Sequence, residues 1–244
     1  MKFNKFIKSL TNSKPALAVL IDPDKFNPDL IKLANKNNVS CFFVGGSGLI
    51  KNNISAVIKK IKKLSDLPVI LFPGDEKQLT KNADGLLLLS LLSGRNPEYL
   101  IEKHVKAAPI IKKLKLSFLP TAYLLIDGGK TSTTQKITKT KPINPKNISL
   151  VKNTSIAGEQ LGFKAIYLEA GSGATKSVSA SLINTIKKSV TIPVIVGGGV
   201  NSKAVAEKLI KAGANMIVVG NALEKNKNLI IEISKAFKPH PKPL

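Results

Sequence analysis

The stretch that decides the fold runs from residue 194 to residue 221 and reads VIVGGGVNSKAVAEKLIKAGANMIVVGN. Two short apolar runs, Val194–Val196 and Met216–Val219, enclose the amphipathic segment Asn201–Lys211, and glycines follow each run. Continuous apolar runs are typical of parallel strands that are covered on both faces. The stretch therefore predicts a strand, a glycine-rich loop, a helix and a second, parallel strand.

The same alternation extends from this stretch over almost the whole chain. Further predicted strands are Ala16–Ile21, Ser40–Val44, Val69–Phe72, Gly85–Leu89, Thr121–Ile126 and Ala165–Leu168, and further predicted helices are Pro28–Lys36, Asn52–Leu64, Pro97–Lys106 and Ser177–Lys188. Strands and helices alternating over 244 residues predict an α/β fold, a single-domain (β/α)8 TIM barrel over residues 1–244. A doubly wound open sheet is the alternative, because the number of strands does not prove closure.

Two internal segments depart from the regular alternation. The pattern is weakest between Pro73 and Ala83, so we expect the third helix to be short or irregular. Residues 127–147, which follow the fifth strand, are polar and rich in Thr and Lys. Long loops in compact domains are usually functional lids or disordered. We expect a mobile loop at the barrel mouth here, which takes part in function or, as the alternative, is only a mobile surface loop, and we expect a tail at residues 238–244.

Charge and composition restrict the class of protein. The chain has 38 Lys and Arg residues against 15 acidic residues, a net charge of +23 and a single cysteine. A basic chain suggests a nucleic-acid partner, but only Arg95 is an arginine, and lysines occupy solvated helix faces such as Lys59–Lys63. We expect no nucleic acid, although a basic nucleic-acid-binding protein stays the weaker alternative. One cysteine excludes an intrachain disulfide, and no apolar run is long enough to span a bilayer, so we expect a cytoplasmic protein.

Glycines after the last two strands indicate a phosphate site. Gly197, Gly198 and Gly199 follow the seventh strand, and Gly220 precedes Asn221 after the eighth. Barrel phosphate sites are typically built from these two loops. Glycine lets backbone N–H groups approach phosphate oxygens, and a helix N-terminus adds partial positive charge. We predict phosphate binding; the alternative is that the glycines only form tight turns.

Acidic residues are scarce, and several of them end predicted strands. Asp22 and Asp24 follow the first strand, where a carboxylate could hold Mg²⁺ that bridges substrate phosphates or could cap a helix. Glu169 ends the sixth strand and shares a face with Tyr167, because side chains alternate along a strand. Glu169 could act as a general base on a hydroxyl. The alternative for Glu169 is a salt bridge to a nearby lysine.

A series of motifs in chain order resembles a known family. The motifs are Leu20–Lys25, Val44–Ser47, Ser90–Pro97, Tyr167–Gly173, Gly197–Val200 and Val219–Asn221. They resemble the geranylgeranylglyceryl phosphate synthase family, and the Ala-Gly-Ser-Gly form after the sixth strand is similar to its second group. The resemblance implies a (β/α)8 barrel and a Mg²⁺-dependent prenyltransferase. Such an enzyme joins geranylgeranyl diphosphate, or a longer prenyl diphosphate, to sn-glycerol 1-phosphate, which forms an ether and releases diphosphate.

The resemblance also implies roles for particular residues. Asp22 and Ser47 would ligate Mg²⁺, and Glu169 and Tyr167 would be catalytic, with Glu169 as the base on the attacking hydroxyl. The residues that would hold glycerol 1-phosphate are Tyr167, Leu168, Glu169, Ala170, Gly171, Ser172, Gly173, Gly198, Gly199, Gly220 and Asn221. A homo-oligomer, a dimer or a hexamer, is implied, and a peripheral contact with anionic membranes is a further expectation. Another phosphate-binding barrel enzyme, such as a sugar-phosphate isomerase, is the alternative.

Overall fold

The strands close into a barrel in a computed structural model that describes residues 2–46 and 53–237. The strands are β1 (Ala16–Ile21), β2 (Cys41–Gly46), β3 (Val69–Pro73), β4 (Gly85–Leu91), β5 (Phe118–Leu125), β6 (Ala165–Glu169), β7 (Val194–Gly197) and β8 (Met216–Val219). Each strand pairs in parallel with its neighbours in chain order, and β8 pairs with β1. Closure confirms the predicted (β/α)8 architecture, so the open-sheet alternative is wrong.

Helices cover the barrel and one of its ends. In the described part of the chain they are α1 (Lys2–Thr11), α2 (Pro28–Asn35), α3 (Ile54–Leu64), α4 (Lys103–Leu114), α5 (Thr133–Thr138), α6 (Ile148–Gln160), α7 (Ala180–Lys187), α8 (Lys203–Lys211), α9 (Asn221–Lys225) and α10 (Leu229–Ile233). Side-chain caps fix several helix starts: Ser202 accepts a hydrogen bond from the Val205 N–H at the start of α8. None of the described helices is long and apolar enough to cross a membrane.

The core has two layers, because side chains alternate along each strand. Tyr167 points into the barrel, whereas Leu168 packs between the barrel and the helices. At the N-terminal end of the barrel, the ring of Phe6 in α1 contacts that of Phe43 edge-on, with ring centroids 5.9 Å apart. This helix closes the N-terminal end of the barrel, and the C-terminal end is left for a site.

The two irregular segments have different structures. Residues 74 to 84, all of them described, contain only the single 3₁₀ turn Glu76–Gln78, which confirms the prediction of a short third helix. Within residues 127–147, the helix α5 forms, and Ile126 makes a parallel bridge with Ile143. The sequence did not predict this helix, in which Thr134 and Thr138 are buried. Mobility of the segment stays a prediction, and the tail at 238–244 lies outside the described residues.

Candidate functional site

A polar cleft lies over the C-terminal ends of β1, β6, β7 and β8. Predicted site residues that line it are Asp22, Tyr167, Glu169, Ser172, Gly173, Gly198, Gly199, Gly220 and Asn221. The side chains of Leu168 and Ala170 instead face the layer between barrel and helices, and Gly171 is buried against Ser132. The fold therefore brings together most of the predicted set, although Ser47 lies outside the described residues.

Glu169 has an unusual environment for a carboxylate. It ends β6 and is only 7% exposed. Its Oε1 accepts a hydrogen bond of 2.8 Å from the Gly171 N–H. Burial raises the pKa of Glu169 to about 7, while the Gly171 N–H and the Tyr167 hydroxyl oppose that rise. No described lysine or arginine is within ion-pair distance of Glu169, so the described residues do not form the salt bridge that was the alternative.

Tyr167 stands beside Glu169 on the inner face of β6. Its ring lies 5.3 Å from that of Tyr123 and 5.4 Å from that of Phe72, centroid to centroid. Burial, with the charge of Glu169, raises the Tyr167 pKa well above its ordinary value, so the hydroxyl keeps its proton. That buried hydroxyl lies beside the Glu169 carboxylate and favours its charged form, but it has no hydrogen-bond partner in good geometry among residues 2–46 and 53–237. An unpaired buried donor in a cleft is a group that a bound ligand can satisfy.

The glycines after β7 allow this close packing. A Cβ atom on Gly197 would come within 2.4 Å of the Tyr167 hydroxyl oxygen and 2.7 Å of Glu169 Oε2. Gly198 has φ of +82°, and its Cβ would stand 2.6 Å from Glu169 Oε1. Only glycine fits such positions without displacing its neighbours. The loop after β7 can therefore lie directly against the carboxylate and leave its backbone open to the cleft.

A chain of polar contacts links the loops across the mouth. Lys25 Nζ donates to Glu224 Oε2 at 2.8 Å and lies 3.7 Å from Asp22 Oδ2. Asn221 Nδ2 donates to the same Glu224 oxygen at 3.3 Å, and Ser172 Oγ donates to Asn221 Oδ1 at 2.8 Å. Sequence reasoning did not assign Lys25 or Glu224. The sequence indicated a role for them only weakly: Lys25 follows the acidic residues after the first strand, and Glu224 lies in α9, the helix after β8.

The donor set near β1 suits a hard cation. Asp22 Oδ1 accepts the Asp24 N–H at 3.0 Å and caps the 3₁₀ turn Pro23–Lys25. The helix that begins at Pro28 is instead capped by Asn27, whose Oδ1 accepts the Asp29 N–H at 2.9 Å, so the interpretation of Asp22 as the cap of that helix is wrong. Asp22, Asp24 and Glu224 all line the cleft. The described residues contain no cluster of three or more ligating side chains. Mg²⁺ usually takes only one or two carboxylates and completes its shell with water and substrate phosphates, so these residues fit Mg²⁺.

Sequence reasoning did not locate an apolar cavity that adjoins the cleft. Its lining includes Leu86, Leu88, Leu89, Tyr99, His104, Ala107 and Ile137. It shares Gly46, Phe72, Tyr123 and Thr134 with the cleft, so the two spaces are neighbours. The cavity lies where a single 3₁₀ turn replaces the helix expected between β3 and β4. The weak helical pattern between Pro73 and Ala83 was the one feature of the sequence that could have indicated this cavity.

The closed barrel, with a glycine-lined cleft at the C-terminal ends of its strands, places the protein among the (β/α)8 barrels that keep a ligand site at this end. Comparison with known proteins narrows that class. Residues 9–237 match the PcrB family, and the chain belongs to this family. This confirms the family resemblance seen in the motifs.

Named relatives agree with the match. The geranylgeranylglyceryl phosphate synthase of Zunongwangia profunda is 48% identical over 89% of this chain and 94% of that protein. The synthase of the same name from Pyrococcus furiosus is 36% identical over 91% of this chain and 90% of that protein. The solved (S)-3-O-geranylgeranylglyceryl phosphate synthase of Thermoplasma acidophilum, in complex with its substrate sn-glycerol-1-phosphate, superposes with a TM-score of 0.88. It is 29% identical, with 98% of each chain covered.

Proposed function

We propose that this protein is a prenyltransferase that joins geranylgeranyl diphosphate, or a longer prenyl diphosphate, to sn-glycerol 1-phosphate. The products are the ether geranylgeranylglyceryl phosphate and diphosphate. The observation that carries the proposal is the buried carboxylate of Glu169, which lines a glycine-rich cleft that adjoins an apolar cavity. The relatives described above are named for this activity, which supports the same reaction here.

The glycerol phosphate end of the reaction fits the cleft at β6, β7 and β8. Backbone N–H groups of Gly198, Gly199 and Gly220 suit phosphate oxygens, and the Ser172–Asn221 pair borders the same loops. Glu169, with a pKa of about 7, is partly ionised near neutral pH and can accept a proton from the glycerol hydroxyl. Tyr167 keeps its proton and can donate a hydrogen bond to a substrate oxygen.

The chemical step is a displacement at the first carbon of the prenyl chain. The hydroxyl oxygen of glycerol 1-phosphate forms a bond to this allylic carbon, and the carbon–oxygen bond to diphosphate breaks. The electron pair of the broken bond leaves with diphosphate, and the hydroxyl proton moves to Glu169. The carboxylate is effective here because it is desolvated and held by the Gly171 N–H.

The diphosphate end fits the β1 side of the mouth. We infer that Asp22 and Ser47 hold Mg²⁺, which neutralises charge on the leaving diphosphate when it is bound. Lys25 and Lys225 line the same cleft and add positive charge there. Lys25 is paired with Glu224 at 2.8 Å, so it is held at the mouth rather than free in solvent.

The apolar cavity next to the cleft suits the prenyl tail. Leucines of β4 and Ala107 of α4 line it, and Phe72 and Tyr123 lie where it meets the cleft. A sugar-phosphate isomerase, the other candidate considered for a phosphate-binding barrel, has no use for an apolar space of this kind. A cytoplasmic location, a homo-oligomer and contact with anionic membranes stay predictions.

The test is a product assay. The purified protein is incubated with Mg²⁺, geranylgeranyl diphosphate and each enantiomer of glycerol phosphate in turn. We expect ether product from sn-glycerol 1-phosphate, little from the other enantiomer, and loss of turnover when a chelator removes the metal. Absence of ether product from sn-glycerol 1-phosphate would overturn the proposal. Repeating the assay with longer prenyl diphosphates measures the chain length that the enzyme accepts.

A further inference from the structure

One lysine joins the two sides of the apolar cavity. Lys103 Nζ lies 2.7 Å from Asp75 Oδ2 and 3.3 Å from Glu76 Oε2, both at the 3₁₀ turn after β3. It also lies 3.7 Å from Glu98 Oε1, in the π-helical turn that precedes α4. The Lys103 side chain is 25% exposed. Asp75 and Glu76 raise the Lys103 pKa although burial opposes the rise, so the ammonium stays charged.

These ion pairs lie over the gap between β3 and β4, where a 3₁₀ turn stands in place of a full helix. Leu86 and Leu88 face outward from β4 into the layer between the barrel and its helices, and both line the cavity. A full helix between β3 and β4 would cover part of this layer. Lys103, Asp75 and Glu76 line the same cavity. The contact between α4 and the 3₁₀ turn therefore forms part of the outer wall of the cavity, opposite the barrel.

Lys103 is also placed midway along the cavity. Tyr99 precedes it by four residues and Ala107 follows it by four residues, and all three line the cavity. Lys103 and Ala107 lie on one side of α4, about 6 Å apart along its axis, and Tyr99 lies in the π-helical turn that precedes them. Tyr99 adjoins the barrel mouth, because its hydroxyl lies 3.5 Å from the Ile137 carbonyl oxygen of α5. A tail that enters at the mouth thus meets Tyr99 first, then Lys103, then Ala107.

We propose that Lys103 is a positioning residue that sets the specificity of the enzyme for the length of the prenyl tail. By tying α4 to the turn after β3, it holds the outer wall against the distal part of a long tail. A short tail ends before this contact and does not depend on it. The inference rests on the proposed function, since it assumes that the cavity takes the prenyl tail.

The test compares Lys103→Met with the wild-type protein. Methionine keeps much of the apolar stem that packs on the cavity and removes all three ion pairs. We expect the KM for geranylgeranyl diphosphate to rise about fivefold, the factor that corresponds to a partly exposed ion pair. The KM for geranyl diphosphate, the KM for glycerol 1-phosphate and kcat should stay near their wild-type values. Lys103→Arg, which keeps the charge, should restore most of the affinity for the long tail.

Lys106→Met is the matched control. Lys106 lies in the same helix and, among residues 2–46 and 53–237, pairs only with Glu98, at 3.5 Å, while its side chain is 52% exposed. It does not line the cavity, so its replacement should leave every KM unchanged. A second readout does not need turnover: geranylgeranyl diphosphate should raise the Tm of wild type more than that of Lys103→Met, and geranyl diphosphate should raise both equally.

Several outcomes would overturn the inference. An equal change in KM for short and long tails, or a change in the KM for glycerol 1-phosphate, would show that Lys103 only supports the fold. If Lys103→Met does not fold, Glu76→Gln removes one ion pair and should shift the same KM by a smaller factor; no shift would contradict the inference. Wild-type turnover is measured first, so failure of the proposed prenyl transfer is seen separately from failure of this specificity role.

Discussion

The two sides of the barrel mouth are built in different ways. On the β6–β8 side, Glu169 and the glycines after β7 are held by strand ends and backbone, with contacts such as the 2.8 Å bond from the Gly171 N–H. On the β3–β4 side, the apolar cavity exists because a 3₁₀ turn replaces a helix. Its wall depends on side chains from distant parts of the chain, such as the Lys103–Asp75 pair.

The difference indicates which side tolerates change. Strand ends in a closed sheet are fixed by ladders on both sides, so the polar cleft is preorganised and sensitive to small shifts. The cavity wall is formed by side chains, which can adjust by changing rotamers at a modest energetic cost. Substitutions on the polar side should therefore change turnover strongly, whereas substitutions on the apolar side should change the affinity for one substrate.

Replacing the carboxylate on the polar side should have the strongest effect. In Glu169→Gln the amide keeps the size and can accept the Gly171 N–H, but it cannot take the hydroxyl proton. We expect kcat to fall by roughly 10² to 10⁴, the range for loss of a general base, with little change in either KM. Steady-state kinetics with both substrates measure this.

Glu207→Gln is the control for that variant, because Glu207 lies on the outer surface of α8 and pairs only with Lys203 at 3.2 Å in the described chain. The pH profile gives a second check. Since the base must be ionised, kcat/KM of the wild type should rise with pH through about 7, the pKa of Glu169. An unchanged kcat in Glu169→Gln would remove this residue from the proposed mechanism.

Crowding the same carboxylate should have the next largest effect. A Cβ at Gly198 would lie 2.6 Å from Glu169 Oε1 and 2.9 Å from the Gly171 backbone nitrogen. Gly198→Ala should therefore displace the base and the phosphate loop, and we expect kcat/KM for glycerol 1-phosphate to fall about 100-fold, as misplacement of reacting groups does. The KM for the prenyl diphosphate should change much less.

Gly162→Ala separates crowding from backbone strain. Gly162 has a similar φ of +91°, but nothing lies within 4 Å of the position of its Cβ. This variant should lose about 1 kcal/mol of stability, as a non-glycine residue at positive φ does, and keep full turnover. If the two variants lose activity to the same degree, crowding of Glu169 is not the cause.

Filling the apolar side should have a smaller and more selective effect. Ala107 is buried and lines the cavity. Ala107→Phe would occupy space that we assign to the prenyl tail, so the KM for geranylgeranyl diphosphate should rise about tenfold, which corresponds to about 1.4 kcal/mol. The KM for glycerol 1-phosphate should stay constant. Ala108→Phe, at the exposed neighbouring position, is the control, and an equal effect of both variants would contradict the assignment.

The same contrast explains what the sequence could and could not predict. The barrel and the polar cleft follow from local signals, because each apolar run and the glycines after it lie together in the chain. Tyr167 and Glu169 share a face by simple strand alternation. The cavity joins Leu86 to Ala107 and Ile137, and no local pattern connects these positions. α5 was missed because its sequence, TTQKIT, is polar and β-branched; its start is fixed by the Ser132 cap.

The smallest expected effect concerns stability rather than rate. The Glu169 pKa is about 7 in the folded protein and 4.5 in an unfolded chain. Between these values the folded state binds the extra proton, so stability falls as pH rises through this window. Glu169→Gln removes the buried charge, and above pH 7 it should be more stable than wild type, by no more than the roughly 3 kcal/mol to which this pKa shift corresponds, with a higher Tm. Near pH 4.5 the difference should vanish. Thermal unfolding across this pH range measures the difference in stability. A Tm of Glu169→Gln below that of wild type at pH 8 would mean that the buried, ionised carboxylate of Glu169 does not destabilise the folded protein.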